Sequence, residues 1–161
     1  MIRNIRFILF ALCVSLAVAS HAEPQISEPA PLLDTELVGG GALKAKELEG
    51  KVVLVVFWAT WCPACARELP ELQRFYNAYR EKGFEILALS LDKKAADVAD
   101  YWSKKGYTFP VAMRAGSIRE AWGTIRFTPQ LVLIDRKGIV RVKYVGAMKY
   151  EQLEAEVMPL L

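Results

Sequence analysis

Two cysteines separated by two residues are the part of this sequence whose side chains can do chemistry. Cys62 and Cys65 end the segment 58–65, which reads Trp-Ala-Thr-Trp-Cys-Pro-Ala-Cys. Such a pair can cycle between dithiol and disulfide, because one thiolate attacks a disulfide and the second thiol resolves the mixed disulfide. The unbroken apolar run 52–57 precedes the pair, and a helical pattern follows it. A dithiol at the junction of a buried strand and a helix predicts a redox site.

A helix that starts at Cys62 would favour the thiolate form of that cysteine. Pro63 suits the first helical position, where its missing N–H costs nothing. The free N–H groups of Ala64 and Cys65, together with the positive end of the helix dipole, would lower the pKa of the Cys62 thiol. We therefore predict that Cys62 is the exposed attacking thiol and that Cys65, more covered, resolves the mixed disulfide. The alternative is a structural disulfide, although so short a loop constrains the unfolded chain little.

Residues 1–22 have the composition of a secretory signal peptide. Two arginines open the segment, residues 7–19 are apolar, and small residues occupy the positions that a signal peptidase reads. Cleavage would begin the mature chain at Glu23 and place the protein in the periplasm or an equivalent extracytoplasmic compartment. An uncleaved membrane anchor is the alternative, although the apolar stretch is short for a full span, which needs about 20 residues.

Cleavage would also remove Cys13 and His21, the only histidine of the sequence. Without histidine, a Cys/His zinc site, a Cys–His nucleophilic pair and a catalytic triad cannot form. The formal net charge would fall from +3 to +1, because the segment contains two arginines and no acidic residue. Neither charge indicates the basic surface of a nucleic-acid-binding protein. We expect no metal, no cofactor and no nucleic-acid partner.

The remaining residues predict one domain preceded by a short linker. Residues 23–31 are rich in proline and lack periodicity, which indicates a spacer, and 32–161 are enough for one domain with a core. The apolar pattern predicts strands at 52–57, 85–91, 109–113, 130–134 and 139–145, and helices at 62–82, 95–105, 117–122 and 149–160. This order predicts an α/β sandwich around a mixed sheet, with a hairpin turn at 135–138 and a kink at Pro70.

Three segments together resemble a known family. Residues 58–65, the later pair Thr128-Pro129 and the run 131–138 resemble the thioredoxin-like superfamily. Within it, the sequence resembles the TlpA-like extracytoplasmic thiol-disulfide oxidoreductases, which include the cytochrome c maturation reductases. The resemblance covers the sequence from about residue 31 to the end. It implies a three-layer sandwich with a central mixed sheet, an N-terminal β-hairpin between residues 32 and 51, and a strand–helix insertion between 95 and 113.

The resemblance also implies a substrate surface beside the dithiol. It places a cis peptide bond between Thr128 and Pro129 facing the cysteines, so that the Thr128 backbone can pair with a substrate segment. The Pro129 ring would fill the space in which a metal could bind both sulfurs. Trp61 and Pro63, next to Cys62, are expected to contact partner proteins from the surface. An ordinary trans proline at the start of a strand is the alternative for Pro129.

Glu68 is the acidic residue that could act on the thiols. It lies three residues after Cys65, on the same side of the predicted helix. Thioredoxins carry a buried aspartate where this sequence has Val56, whereas TlpA-like reductases place a glutamate where Glu68 stands. Glu68 is therefore expected to change thiol pKa values and to carry the Cys65 proton. The alternative is an exposed glutamate paired with Arg67 or Arg74.

These features predict an extracytoplasmic thiol-disulfide oxidoreductase, more specifically a monomeric reductant of protein disulfides. Without an imidazole to stabilise the thiolate, we expect a potential of roughly −270 to −180 mV, maintained by a membrane electron donor of the DsbD type. Its substrate would be apocytochrome c or another exported protein. Two alternatives are a copper carrier that uses both cysteines as soft ligands and a peroxidase of the peroxiredoxin kind.

Overall fold

A computed structural model describes residues 23–161, so the predicted signal peptide and Cys13 lie outside the described residues. The strands are β1 (Thr35–Glu36), β2 (Ala42–Leu43), β3 (Val52–Trp58), β4 (Phe84–Ser90), β5 (Val111–Met113), β6 (Gln130–Ile134) and β7 (Val140–Val145). The helices are α1 (Ala45–Leu48), α2 (Pro63–Tyr79), α3 (Ala95–Lys105), α4 (Gly116–Ala121) and α5 (Tyr150–Val157). Two 3-10 turns, Arg80–Lys82 and Met158–Leu160, extend α2 and α5.

The five longer strands form one mixed sheet in the order β5-β4-β3-β6-β7. β3 pairs in parallel with β4 and antiparallel with β6, and every residue of β3 is buried. Even-numbered residues of β3 pack with α2, α3 and α5, and its odd-numbered residues pack with β2, α1 and α4. Because side chains alternate along a strand, this one apolar run contributes to the hydrophobic core on each face of the sheet. The predicted three-layer α/β sandwich is confirmed.

The two features that the family resemblance adds to the sheet are also present. β1 and β2 form an antiparallel hairpin, and α3 with β5 forms the strand–helix insertion, in which β5 pairs in parallel with β4. The strand predicted from residue 109 starts only at Val111, because Pro110 has no N–H to donate to a ladder. The helix predicted to reach residue 82 ends in a 3-10 turn before Gly83, whose φ of +90° glycine adopts without strain.

The predicted hairpin turn between β6 and β7 is built around Asp135. Its carboxylate accepts the N–H groups of Lys137 (2.9 Å) and Ile139 (3.0 Å) and the Nε of Arg141 (2.6 Å). Gly138 has a φ of +78°, as expected for this turn. Burial acts to raise the pKa of Asp135, but the three donors outweigh it and hold the pKa below 3.8.

The segment 23–31, for which the sequence predicts a spacer, lies along the edge strand β7. The N–H of Val140 donates to the carbonyl of Glu28 at 2.9 Å, and the Glu23 carboxylate pairs with Lys143 at 3.0 Å. The segment therefore covers a sheet edge that would otherwise be open. Composition does not indicate this placement, because backbone hydrogen bonds require no particular side chains. No helix among residues 23–161 has both the length and the apolar character needed to cross a bilayer.

Candidate active site

The two cysteines lie where β3 turns into α2. Cys62 caps the helix with extended backbone, Pro63 occupies its first turn, and the N–H of Cys65 donates to the Cys62 Sγ at 3.2 Å. The two sulfurs form a disulfide, with the Cα atoms 5.3 Å apart. The predicted junction of strand, dithiol and helix is confirmed. A thiolate at Cys62 would accept the same N–H and face the positive end of the helix dipole.

The disulfide is more covered than the sequence indicates. Cys62, predicted to be an exposed thiol, is only 4% exposed, and Cys65 is 1% exposed. Cys62 is thus the more open cysteine, but the Thr128 carbonyl oxygen lies 3.5 Å from its Sγ and covers it in the oxidised form. Trp61 is 67% exposed and Pro63 is also on the surface, whereas Trp58 is buried beneath the site.

The loop before β6 brings a second segment to the disulfide. The Thr128-Pro129 peptide bond is cis, as the family resemblance implied. Pro129 is buried, and its carbonyl accepts the N–H of Gly146 at 2.8 Å. Phe127, directly before this pair, is 66% exposed. Sequence reasoning missed Phe127, because an apolar residue in a loop gives no sign of whether it packs inside or stands in solvent.

Asp92 fixes the segment that leads into Cys62, and sequence reasoning missed it as well. Its carboxylate accepts the N–H of Thr60 at 2.9 Å and the Thr60 hydroxyl at 2.6 Å, and it accepts the Ser90 hydroxyl at 2.7 Å. β3 and β4 run in parallel, with Trp58 opposite Ser90, so their carboxyl ends meet at one edge. The sequence does contain a signal for Asp92, because it is a charged residue that follows the buried strand β4 almost directly.

Glu68 is buried, with 2% of its surface exposed. Its Oε1 accepts the N–H of Met148 at 2.7 Å, and its Oε2 is buried without a partner among the described residues. Burial raises the pKa of Glu68 to about 7, although the Met148 N–H acts to lower it. The alternative of an exposed glutamate paired with Arg67 or Arg74 is wrong, because Glu68 is buried and Arg74 pairs instead with Glu71 at 3.3 Å.

A short loop, residues 146–148, links Glu68 to the cis-proline. The N–H at one end, on Gly146, donates to Pro129, and the N–H at the other end, on Met148, donates to Glu68. A cavity of about 500 Å³ opens beside this loop, between α2 and the start of α5. Glu68 lines it together with Arg67, Glu71, Arg74, Ala147, Met148, Lys149, Tyr150 and Glu151.

Among residues 23–161, no three histidine, cysteine, aspartate or glutamate side chains lie close enough together to hold a metal ion. The described site offers three features for thiol chemistry: two sulfurs that can exchange a disulfide, a helix start that can stabilise a thiolate, and a buried carboxyl whose pKa is raised to about 7.

Comparison with known proteins agrees with this geometry. The Redoxin family model matches residues 23–157. The thiol-disulfide oxidoreductase ResA of Bacillus cereus is 35% identical over 136 residues, which are 84% of this chain and 79% of that protein. ResA of Halalkalibacterium halodurans is 35% identical over 123 residues, which are 76% of this chain and 69% of that protein.

Among solved structures, a thiol:disulfide interchange protein of the thioredoxin family from Chlorobium tepidum superposes with a TM-score of 0.78. It is 26% identical in sequence, and the match covers 86% of this chain and 99% of that one. The chain therefore belongs to the Redoxin family, and within it to the thioredoxin-like, TlpA-like thiol-disulfide oxidoreductases.

Proposed function

We propose that this oxidoreductase is an extracytoplasmic reductant of protein disulfides, with Cys62 as the nucleophile and Cys65 as the resolving cysteine. The observation that carries the proposal is the position of the Cys62 Sγ. It accepts the N–H of Cys65 at the helix start and lies 3.5 Å from the carbonyl of Thr128. The first contact favours the thiolate, and the second places it beside backbone that a substrate can pair with.

The reaction is two successive exchanges. The Cys62 thiolate attacks one sulfur of the substrate disulfide, the substrate S–S bond breaks, and the departing substrate thiolate takes up a proton. The Cys65 thiol then loses its proton and attacks the Cys62 sulfur, and the second substrate sulfur leaves as a thiolate that is protonated in turn. Two electrons pass from the protein to the substrate, the two substrate thiolates take up their protons from water, and the Cys62–Cys65 disulfide remains.

Glu68 is proposed to accept the Cys65 proton in the second exchange. It lies one helical turn beyond Cys65, and its pKa of about 7 suits proton transfer at neutral pH. The unpartnered Oε2 can receive the proton, and the adjoining cavity can release it to water. The position of the thioredoxin aspartate is occupied here by Val56, which is fully buried.

The substrate surface is proposed to consist of Trp61, Pro63, Thr128 and Pro129. An extended substrate segment would form backbone hydrogen bonds with Thr128, while the exposed rings of Trp61 and Pro63 pack against its side chains. Pro129, on the segment that reaches Cys62, would border the sulfurs and close the space beside them to a metal ion.

The direction and setting of the reaction are also part of the proposal. Residues 23–161 contain no histidine, so no imidazole stabilises the thiolate, which supports a potential between roughly −270 and −180 mV. A membrane donor of the DsbD type would return the disulfide to the dithiol. The secretory composition of residues 1–22 supports a periplasmic or equivalent location, and a monomer acting on apocytochrome c during cytochrome c maturation is the specific substrate hypothesis.

The test combines alkylation with substrate trapping. In the reduced protein at neutral pH, Cys62 should react with iodoacetamide much faster than Cys65. Cys65→Ala should hold a mixed disulfide with an exported protein that contains a disulfide, whereas the matched variant Cys62→Ala should hold none. Equal labelling of the two thiols, or trapping by Cys62→Ala alone, would contradict the assignment, and a potential above roughly −180 mV would contradict the reducing direction.

A further inference from the structure

Two aromatic side chains stand in solvent beside the disulfide. Trp61 is 67% exposed and Phe127 is 66% exposed, and no other large apolar side chain among residues 23–161 is as exposed as these two. Trp61 directly precedes Cys62, and Phe127 directly precedes Thr128, whose carbonyl lies 3.5 Å from the Cys62 Sγ. Two residues with exposed aromatic side chains, from separate segments of the chain, therefore adjoin the two residues that meet at the Cys62 sulfur. An exposed aromatic pair at a reactive atom indicates a surface that a partner covers.

Positive charge accompanies these two aromatic residues. Arg126 directly precedes Phe127, and Arg67 lies on the exposed side of α2, two residues after Cys65. Neither arginine forms an ion pair within residues 23–161. Of the arginines outside this region, Arg74, Arg80 and Arg141 pair with carboxylates, whereas Arg114 and Arg136 donate to backbone carbonyls and Arg119 forms no ion pair within residues 23–161.

Two carboxylates near the disulfide, those of Glu68 and Asp92, already bind other groups of the protein. Glu68 is buried and binds the Met148 N–H, and Asp92 is occupied by Thr60 and by a serine hydroxyl. The exposed side chains nearest the disulfide in sequence thus include two aromatic rings and two guanidinium groups, and the Glu71 carboxylate, one turn after Arg67, is paired with Arg74 at 3.3 Å. Tryptophan and arginine are the residue types that most often dominate the energy of protein interfaces.

We propose that Trp61, Phe127, Arg67 and Arg126, here called the basic aromatic rim, select the polypeptide that this enzyme reduces. The preferred partner is an extended segment with an aromatic or aliphatic side chain next to its cysteine and with acidic side chains close by. This inference rests on the proposed function, since it names the substrate class of the same dithiol. An extended segment advances about 3.3 Å per residue, so side chains one or two positions from the attacked cysteine reach the rim.

The rim has two separable effects. The rings bury apolar surface of the bound segment, which slows its dissociation whatever its charge. The guanidinium groups attract acidic segments and repel basic ones, which changes the rate of encounter and depends on salt. Charge and apolar contact can therefore be tested by different substitutions.

The experiment uses two synthetic peptides that differ only in charge. Each has one cysteine, held as a mixed disulfide with 5-thio-2-nitrobenzoate, and a neighbouring phenylalanine; one peptide has glutamates near the cysteine and the other has lysines. Exchange oxidises Cys62 and Cys65 to their disulfide and reduces the mixed disulfide to the peptide thiol and the coloured aryl thiolate. Two electrons pass to each peptide, and the absorbance gives the rate.

The reduced protein should react about tenfold faster with the glutamate peptide than with the lysine peptide, and added salt should reduce this ratio. Arg126→Glu should abolish or invert the ratio, and Arg126→Gln should give an intermediate value. The matched control is Lys137→Glu, which makes the same change of charge in the β6–β7 turn, at the far end of β6. It should leave the ratio unchanged. Phe127→Ala should slow both peptides and leave their ratio intact.

A neutral small disulfide, hydroxyethyl disulfide, separates this inference from the proposed function. Wild type and the rim variants should reduce it at equal rates, because it carries no charge and covers little surface. Equal rates with the two peptides, or an equal effect of Lys137→Glu and Arg126→Glu, would refute substrate selection by the rim, provided that hydroxyethyl disulfide is still reduced. If the wild type does not reduce hydroxyethyl disulfide, both the proposed function and selection by the rim are refuted.

Discussion

The burial of Glu68 should make the free energy of unfolding depend on pH. The pKa of this carboxyl rises from 4.5 to about 7 in the folded chain because it is desolvated. Each pKa unit corresponds to about 1.4 kcal/mol, so the ionised folded form is destabilised by about 3 kcal/mol relative to the protonated one. Below pH 4.5 the group is protonated in both states and has no effect. Between 4.5 and about 7 only the unfolded chain releases the proton, so stability falls as pH rises.

The variant that tests this is Glu68→Gln. Glutamine can still accept the Met148 N–H but cannot ionise, so its unfolding free energy should lack the fall of about 3 kcal/mol across this range. Urea denaturation of the oxidised protein at several pH values measures the difference between the two proteins. Glu71→Gln, at a half-buried glutamate of the same helix that pairs with Arg74, is the matched control and should keep the wild-type profile. Parallel profiles for wild type and Glu68→Gln would refute the reasoning.

The same substitution should change the thiols. Above pH 7 the Glu68 carboxylate opposes a second negative charge nearby on α2, and glutamine removes that opposition. The midpoint of thiolate formation should therefore move to lower pH in Glu68→Gln, as measured by iodoacetamide rates on the reduced protein. An unchanged midpoint would leave Glu68 with an effect on stability alone.

Three further substitutions test the frame around the site. Asp92→Ala leaves the two donors of Thr60 unpaired, so stability should fall by about 1–3 kcal/mol and Cys62 should alkylate more slowly. Gly123→Ala should cost about 1 kcal/mol or more in urea denaturation, because its φ is +64° and a methyl group would meet backbone at 2.7 Å; Gly39→Ala, in open space, should cost less. The lowered pKa of Asp135 stabilises the folded wild type above pH 3.8, and this contribution is lost as pH falls further. Asp135→Asn cannot ionise, so its unfolding free energy should fall less on acidification, as acid titration of unfolding would measure.

Much of the fold follows from local patterns in the sequence. The apolar run of β3 has no polar residue on either face, which is typical of a strand covered by helices on both sides. Pro63 and the two cysteines determine where α2 begins, since proline suits the first turn of a helix. These features depend on neighbours along the chain, and the structure confirms them to within a few residues.

The parts of the site that sequence reasoning left open depend on distant residues. The helical spacing of Glu68 from Cys65 does not determine whether the carboxyl faces solvent, and its partner Met148 lies 80 residues further along the chain. Asp92 lies 32 residues from Thr60, and only the parallel register of β3 and β4 brings them together. Such contacts are products of packing, which periodicity does not encode.

The covering of Cys62 has the same origin. A cysteine at a helix start is expected to be open, because the first turn has no preceding helical residues to shield it. Here the Thr128 carbonyl reaches it from a loop 66 residues away. The resemblance to thioredoxin-like proteins predicted that this loop faces the dithiol, but not that it leaves the oxidised cysteine only 4% exposed.

The buried acid lies at position 68 of α2 and not at position 56 of β3, and the residues that surround each position explain the difference. Val56 lies in β3 directly between Ala88 and Leu131, with 0% exposure, so a carboxylate there would be enclosed by apolar side chains. On α2, Glu68 is equally buried but has a backbone donor in the loop 146–148. That loop also binds the cis-proline through Gly146. The acid proposed for proton transfer and the proline of the proposed substrate surface are therefore held by the two ends of one short loop.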